Sequence, residues 1–200
     1  MLKIYGDYRS GNCYKIKLVC ALLDIDYQWI AIDIMKGEAS SPAMLAKNPN
    51  GKIPFIEMDD GFVLTESNAI INYLGANSGL YPSDSRTTAQ IQQWQFFEQY
   101  SHEPYIAVAR FIKFYQGMPE SRLAEFEAKQ TGGTKALQLM EKHLESSSFL
   151  VGDSMTTADI ALYAYTHVAH EGGFELNNYP AIRSWINRIQ SLPMYKEMID

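Results

Sequence analysis

Cysteine is scarce in this 200-residue chain, with only Cys13 and Cys20. If both lie on one helix, seven residues at ~1.5 Å rise set them ~10 Å apart. That is beyond the ~7 Å reach of a disulfide, so both are expected as reduced thiols. There is no Cys-x-x-Cys pair and no cysteine–histidine cluster at metal spacing, so no metal is expected. Positive charge is also in short supply: 17 Lys+Arg against 23 Asp+Glu leave a net charge of −6. The deficit is spread over both halves of the chain, which argues against nucleic acid or an anionic membrane as partner. No apolar run reaches the ~18 residues of a transmembrane helix. The start, MLKIYGDY, has no apolar signal core, and a cytoplasmic protein is expected. Repeats and low-complexity segments are absent as well.

What is present is an ordinary globular composition, 46% hydrophobic and 20% charged, in a chain long enough for one large domain or two small ones. Leu2 to Tyr5 reads as a strand and Cys13 to Leu23 as a helix with Ile16, Val19 and Cys20 on one face. Tyr27 to Ile34 reads as a second strand and the residues around Pro42 to Ala46 as a short helix. Lys52 to Met58 and Phe62 to Leu64 pair as strands across the Asp59-Asp60-Gly61 turn. A helix with Ile70, Ile71 and Leu74 on one side follows. The order β-α-β-α-β-β-α is a thioredoxin-like arrangement.

Residues 78–86, Ser-Gly-Leu-Tyr-Pro-Ser-Asp-Ser-Arg, read as a linker. Strand signals then vanish. Residues 87–200 read as an all-helical domain: a long aromatic-rich helix divided near Pro104, another weakened by Gly132-Gly133, and two more after Ser154 and Pro180. Thr156 to Asp159 forms a capping box with Met155 and Ile160 at the staple positions, and a folding role is expected for it. The fold class is therefore α/β plus all-α, with residues 1–77 as the first domain.

Asn50 to Leu74 organises the rest. Pro54 cannot donate to a ladder, so Ile53–Pro54 belongs at an edge or a cis bend, leaving the Ile53 backbone free to pair with something extended. Glu66 and Ser67 stand at a helix N-terminus, where amides and the dipole attract a carboxylate while Glu66 can hold an ammonium. Together these suit a peptide-like ligand carrying both an amine and a carboxylate; an ordinary capped helix after a hairpin is the alternative.

The stretch Lys52-Ile53-Pro54-Phe55-Ile56 with Glu66-Ser67 resembles the glutathione subsite of the glutathione transferase family, and GDSMTTADI resembles the family's box on its buried helix. The similarity extends over essentially the whole chain. It implies glutathione as co-substrate, bound at Lys52, Ile53, Pro54, Glu66 and Ser67. It further implies a small hydrophobic electrophile as second substrate, and a homodimer. The loop Ser10-Gly11-Asn12 is similar to that of the serine-type branch. There a hydroxyl donates to the glutathione sulfur, so the resemblance makes Ser10 and Asn12 the candidate catalytic residues; otherwise Ser10 merely caps the helix. Cys13, a thiol at a helix N-terminus, is the competitor and implies disulfide chemistry. Tyr5 and Tyr8 lie off register for the tyrosine-type branch. Arg9-Ser10 is similar to a zeta-class isomerase motif, from which Gly11 and Asn12 depart. Lys36 or Lys52 could meet the glycyl carboxylate. Tyr100, Tyr105, Arg110, Phe111, Phe114 and Tyr115 are candidates to line the second-substrate wall, with Arg110 the polar member expected to face it. His167 and His170 share a helical face but lack a third ligand.

Overall fold

Strand β1 (Leu2–Gly6) runs through the middle of a four-stranded sheet ordered β2-β1-β3-β4. The computed structural model describes residues 1–199. Helix α1 (Gly11–Leu22) carries the chain from β1 to the parallel strand β2 (Tyr27–Ala31), pairing Ile4 with Trp29. On the other side β1 runs antiparallel to β3 (Phe55–Glu57), which returns as β4 (Val63–Thr65). A single turn α2 (Pro42–Leu45) precedes β3, and α3 (Ser67–Leu74) follows β4. The order is the expected one, with the strands shorter than the sequence pattern suggests. Ile4, Ile16, Val19, Ile56, Ile70 and Ile71 are fully buried, which is the two-period and 3.6-period patterning realised as core.

Helix α1 is buried more completely than its pattern implies: even Lys15 and Lys17 lie inside. The start of α3 covers Lys15, and Lys17 meets the end of the chain. From Pro193 onward it joins the first compact unit, residues 1–78, rather than the helical unit Gly79–Leu192. The Tyr14 hydroxyl donates to the Lys196 carbonyl at 2.7 Å, and the Lys17 ammonium to the Met198 carbonyl at 3.3 Å. Assigning everything from residue 87 to 200 to a helical domain therefore misplaces the last segment, which has no periodic pattern of its own.

The helical unit starts with α4 (Ser85–Phe97), capped by Asp84, whose carboxylate accepts from the Thr87 amide at 2.8 Å. A π-helical turn, Glu98–His102, leads into α5 (Glu103–Arg110) at Pro104, which has no N–H for an α-helical ladder. A second π turn, Phe111–Tyr115, ends this segment. Helix α6 (Leu123–Leu144) runs 22 residues without interruption. Gly132 and Gly133 do not break it. A β-carbon at Gly132 would lie 2.2 Å from the Tyr105 ring, and one at Gly133 2.3 Å from Phe174. Close packing outweighs the ~1 kcal/mol that each glycine costs a helix.

All of α7 (Thr157–Thr166) is buried, and its capping box is formed. The Asp159 carboxylate accepts from the amides of Leu150 and Thr156 and from the Thr156 hydroxyl, at 2.9, 2.8 and 3.1 Å. A fourth donor is the Trp185 indole at 2.9 Å, on α8 (Pro180–Gln190). Burial pushes the Asp159 pKa up against the pull of these donors. One side chain thus ties together a loop and two helices, as expected of a folding residue. Among the described residues no helix is long and apolar enough to cross a membrane.

Candidate active site

Three chain segments leave the sheet of the first unit at the same end. The Tyr5↔Phe55 and Phe55↔Thr65 pairs are the last of their ladders. Beyond them lie the loop to Ser10, the Ile53–Pro54 bond and Glu66. The Ile53–Pro54 peptide is cis. Both ladders begin at Phe55, so the Ile53 amide and carbonyl are not used by the sheet. Asn48 holds the approach to this edge: its Nδ2 donates to the Lys52 carbonyl at 2.7 Å and its Oδ1 accepts from the Asn50 amide at 3.1 Å.

Glu66 has φ +67° and ψ 111°, and its exposed carboxylate makes no capping bond. A non-glycine residue in that region stores roughly 1–3 kcal/mol and is a common mark of a functional corner. The turn leaves the first amides of α3 without intrahelical acceptors. Ser67, next in line, is buried. Its hydroxyl donates to Asn12 Oδ1 at 3.2 Å and accepts from the Lys15 ammonium at 3.2 Å. Lys15 also donates to Asn68 Oδ1 at 3.2 Å.

Ser10 caps α1, its Oγ accepting from the Cys13 amide at 3.4 Å. That long bond uses a lone pair of the hydroxyl, which also lies within hydrogen-bonding reach of the Cys13 thiol. The turn before it is fixed by Asp7, which accepts from the Arg9 amide at 2.8 Å through its carboxylate and from the Ser10 amide at 3.0 Å through its carbonyl. Asn12, two residues on, is joined to Ser67, so the start of α1 and the start of α3 form one polar corner. An edge backbone, an acid, helix amides and a hydroxyl thus lie at one end of the sheet.

Residues 4–82 match the model of the glutathione S-transferase N-terminal domain, and residues 96–193 that of the C-terminal domain. The chain belongs to the glutathione S-transferase family. A glutathione S-transferase crystal structure from Pseudomonas fluorescens Pf-5 is 57% identical, with a TM-score of 0.98 over 100% of this chain and 99% of that one. The disulfide-bond oxidoreductase YfcG of Escherichia coli K12 is 31% identical over 92% of this chain and 88% of its own. The transferase URE2P6 of Phanerochaete chrysosporium, solved in complex with oxidized glutathione, is 26% identical with a TM-score of 0.86, over 96% and 92% of the two chains.

Several alternatives for a glutathione S-transferase site fare differently from Ser10. Cys13 is completely buried, with its thiol pushed up to about 12 by desolvation. The helix terminus was expected to lower it, but the sulfur faces the interior, where a β-carbon on Gly6 would lie 2.7 Å from it. Tyr5 donates to Glu57 at 2.6 Å, and burial with that carboxylate raises its hydroxyl to about 12. Tyr8 stacks on Trp29 with ring centroids 4.8 Å apart. Lys36 pairs with Asp33 at 3.2 Å, whereas Lys52 is exposed at the edge.

The expectation for Arg110 is corrected. It is buried, pairs with Glu171 and lies 4.8 Å from the Phe114 ring centroid. An arginine with a carboxylate and two aromatic faces to satisfy it is retained inside. Tyr105 packs over Gly132, while Tyr100 is 80% exposed. His167 donates from Nδ1 to the Tyr163 carbonyl at 2.8 Å. Among the described residues no three histidine, cysteine or acidic side chains gather as a metal site.

Asn48, Lys15 and Asn68 are the corner residues that the sequence did not single out. Nothing in their spacing separates them from surface polar residues.

Proposed function

We propose that this protein is a glutathione transferase whose Ser10 hydroxyl steadies the glutathione thiolate for attack on a small hydrophobic electrophile or a peroxide. The observation that carries it is the bond joining Asn12, two residues past Ser10, to Ser67 at the same sheet end as Ile53–Pro54 and Glu66. In this reading the cysteinyl backbone of glutathione pairs with the Ile53 edge. Glu66 holds its ammonium, the α3 amides, beginning with that of Ser67, take the γ-glutamyl carboxylate, and Lys52 meets the glycyl end. Pro54 shapes the edge and Asn12 stands beside Ser10.

Magnitudes define what Ser10 contributes. A thiol of pKa ~8.5 is about 3% ionised at neutral pH. A charge-assisted hydrogen bond of ~1.5–3 kcal/mol and a helix terminus of up to ~1 kcal/mol lower it by ~2 units. Ionisation rises about 25-fold, and lower basicity returns about 8-fold of nucleophilicity. Positioning the electrophile against the sulfur must supply most of the acceleration. Replacing Ser10 with Ala should therefore lower kcat/KM for conjugation of an activated aryl halide several-fold or more at neutral pH, with glutathione still bound. Full turnover would remove the assigned role.

The exposed rings of Phe62 and Tyr73 in the first unit, and of Phe96 and Tyr100 in the second, support a homodimer. A cytoplasmic detoxifying role fits the reduced cysteines and the chemistry. The name of the Escherichia coli relative favours a second reading, glutathione-dependent disulfide reduction. With Cys13 buried, that reaction would run on glutathione alone. A third is glutathione binding without turnover, which an inactive but saturable protein would indicate.

A further inference from the structure

Lys15 is fully buried on α1, where a lysine normally carries its ammonium to solvent. Its Nζ instead ends 3.2 Å from Ser67 Oγ and 3.2 Å from Asn68 Oδ1. Those are the first two residues of α3, whose first amides have no intrahelical acceptor. Ser67 passes its own proton on to Asn12 at 3.2 Å.

We infer that Lys15 is the positioning residue of the anion seat at α3, and that it selects ligands carrying a carboxylate on the γ-glutamyl end. The inference rests on the glutathione reading above. Two physical effects combine. An ammonium donating into Ser67 Oγ polarises the hydroxyl and strengthens the bond that it donates to Asn12, which holds the first amides of α3 in place for an anion. The ammonium also places positive charge behind the positive end of the α3 dipole. Neither effect requires Lys15 to touch the ligand. Neither favours a neutral ligand of the same shape.

The test compares two tripeptides on the full-length protein: reduced glutathione, and the analogue in which 4-aminobutyrate replaces the γ-glutamyl residue and so removes only its α-carboxylate. The variants are Lys15→Met, which removes the charge and the donor, and Lys15→Gln, which keeps an N–H donor and removes the charge. Calorimetry should show wild type preferring glutathione, and the preference falling about tenfold or more in both variants. Binding of the analogue should stay within about twofold. A purely structural lysine would weaken both ligands equally and leave the ratio unchanged, which overturns the inference. So does failure of both variants to fold, because Lys15 is then a requirement of the scaffold. If wild-type protein binds neither ligand, the glutathione reading itself fails, and this result is separate from an unchanged ratio.

Discussion

Asn12 and Ser67 stand 55 positions apart in sequence and 3.2 Å apart in space, with the serine hydroxyl donating to the asparagine carbonyl oxygen. The bond joins the first turn of α1 to the first turn of α3. It fixes the distance between the hydroxyl that would face the sulfur and the corner that would hold the amino-acid end of glutathione. Losing such a bond costs ~0.5–1.5 kcal/mol. Asn12→Ala should therefore weaken glutathione binding roughly 3- to 10-fold by calorimetry and lower kcat as well, because the sulfur is less well placed. A variant with wild-type Kd and kcat would show the bond to be incidental.

Gly132 is held glycine by contact, not by backbone angle. Gly132→Ala would drive a β-carbon to 2.2 Å from the Tyr105 ring. Overpacking of this kind costs ~1–3 kcal/mol. The melting temperature should fall by several degrees. Gly79, with nothing within 4 Å of the same added atom, is the control, and Gly79→Ala should be close to neutral. Equal melting temperatures would contradict the close packing of α5 on α6.

His167 gives a pH signature. Burial lowers its pKa from 6.5 to about 4, aided by the positive charges of Arg110 and His170 and opposed by the hydrogen bond to the Tyr163 carbonyl. The unfolded chain takes up the proton first as pH falls. Stability from this residue is thus intact above ~6.5 and lost progressively down to ~4. The loss is on the order of 3 kcal/mol. In urea titrations His167→Phe, which keeps the stack on Tyr163, should flatten the wild-type decline between pH 7 and 4. An unchanged slope would place the decline elsewhere.

Cys13 should be unreactive in the folded protein. With its thiol raised to about 12 and no exposed surface, the thiolate fraction at neutral pH is negligible. Mass spectrometry after oxidised glutathione should find no adduct on Cys13 unless urea is added. An adduct on native protein would revive the cysteine-based reductase.

The corner at Pro54 and Glu66 is legible in the sequence because each residue breaks a local rule: a proline in a strand, and an acid beside a serine where a helix begins. The capping box at Thr156 and Asp159 is legible for the same reason, since its pattern is local. What is illegible is long-range. Lys15 looks like any lysine on an amphipathic helix, and only the tertiary fold brings α3 over it. Arg110 has the spacing of a cleft residue, and Glu171, far along the chain, turns it inward. Cys13 sits at a helix N-terminus that would activate a thiol on the surface. Its orientation toward Gly6 reverses the sign.

The most direct measurement titrates the thiol of bound glutathione by its thiolate absorbance, in wild type and in Ser10→Ala. With Ser10 present the thiol should ionise ~2 units below its free value of ~8.5, and with alanine most of that shift should disappear. Two identical titrations, each well below the free value, would show that something other than Ser10 holds the thiolate.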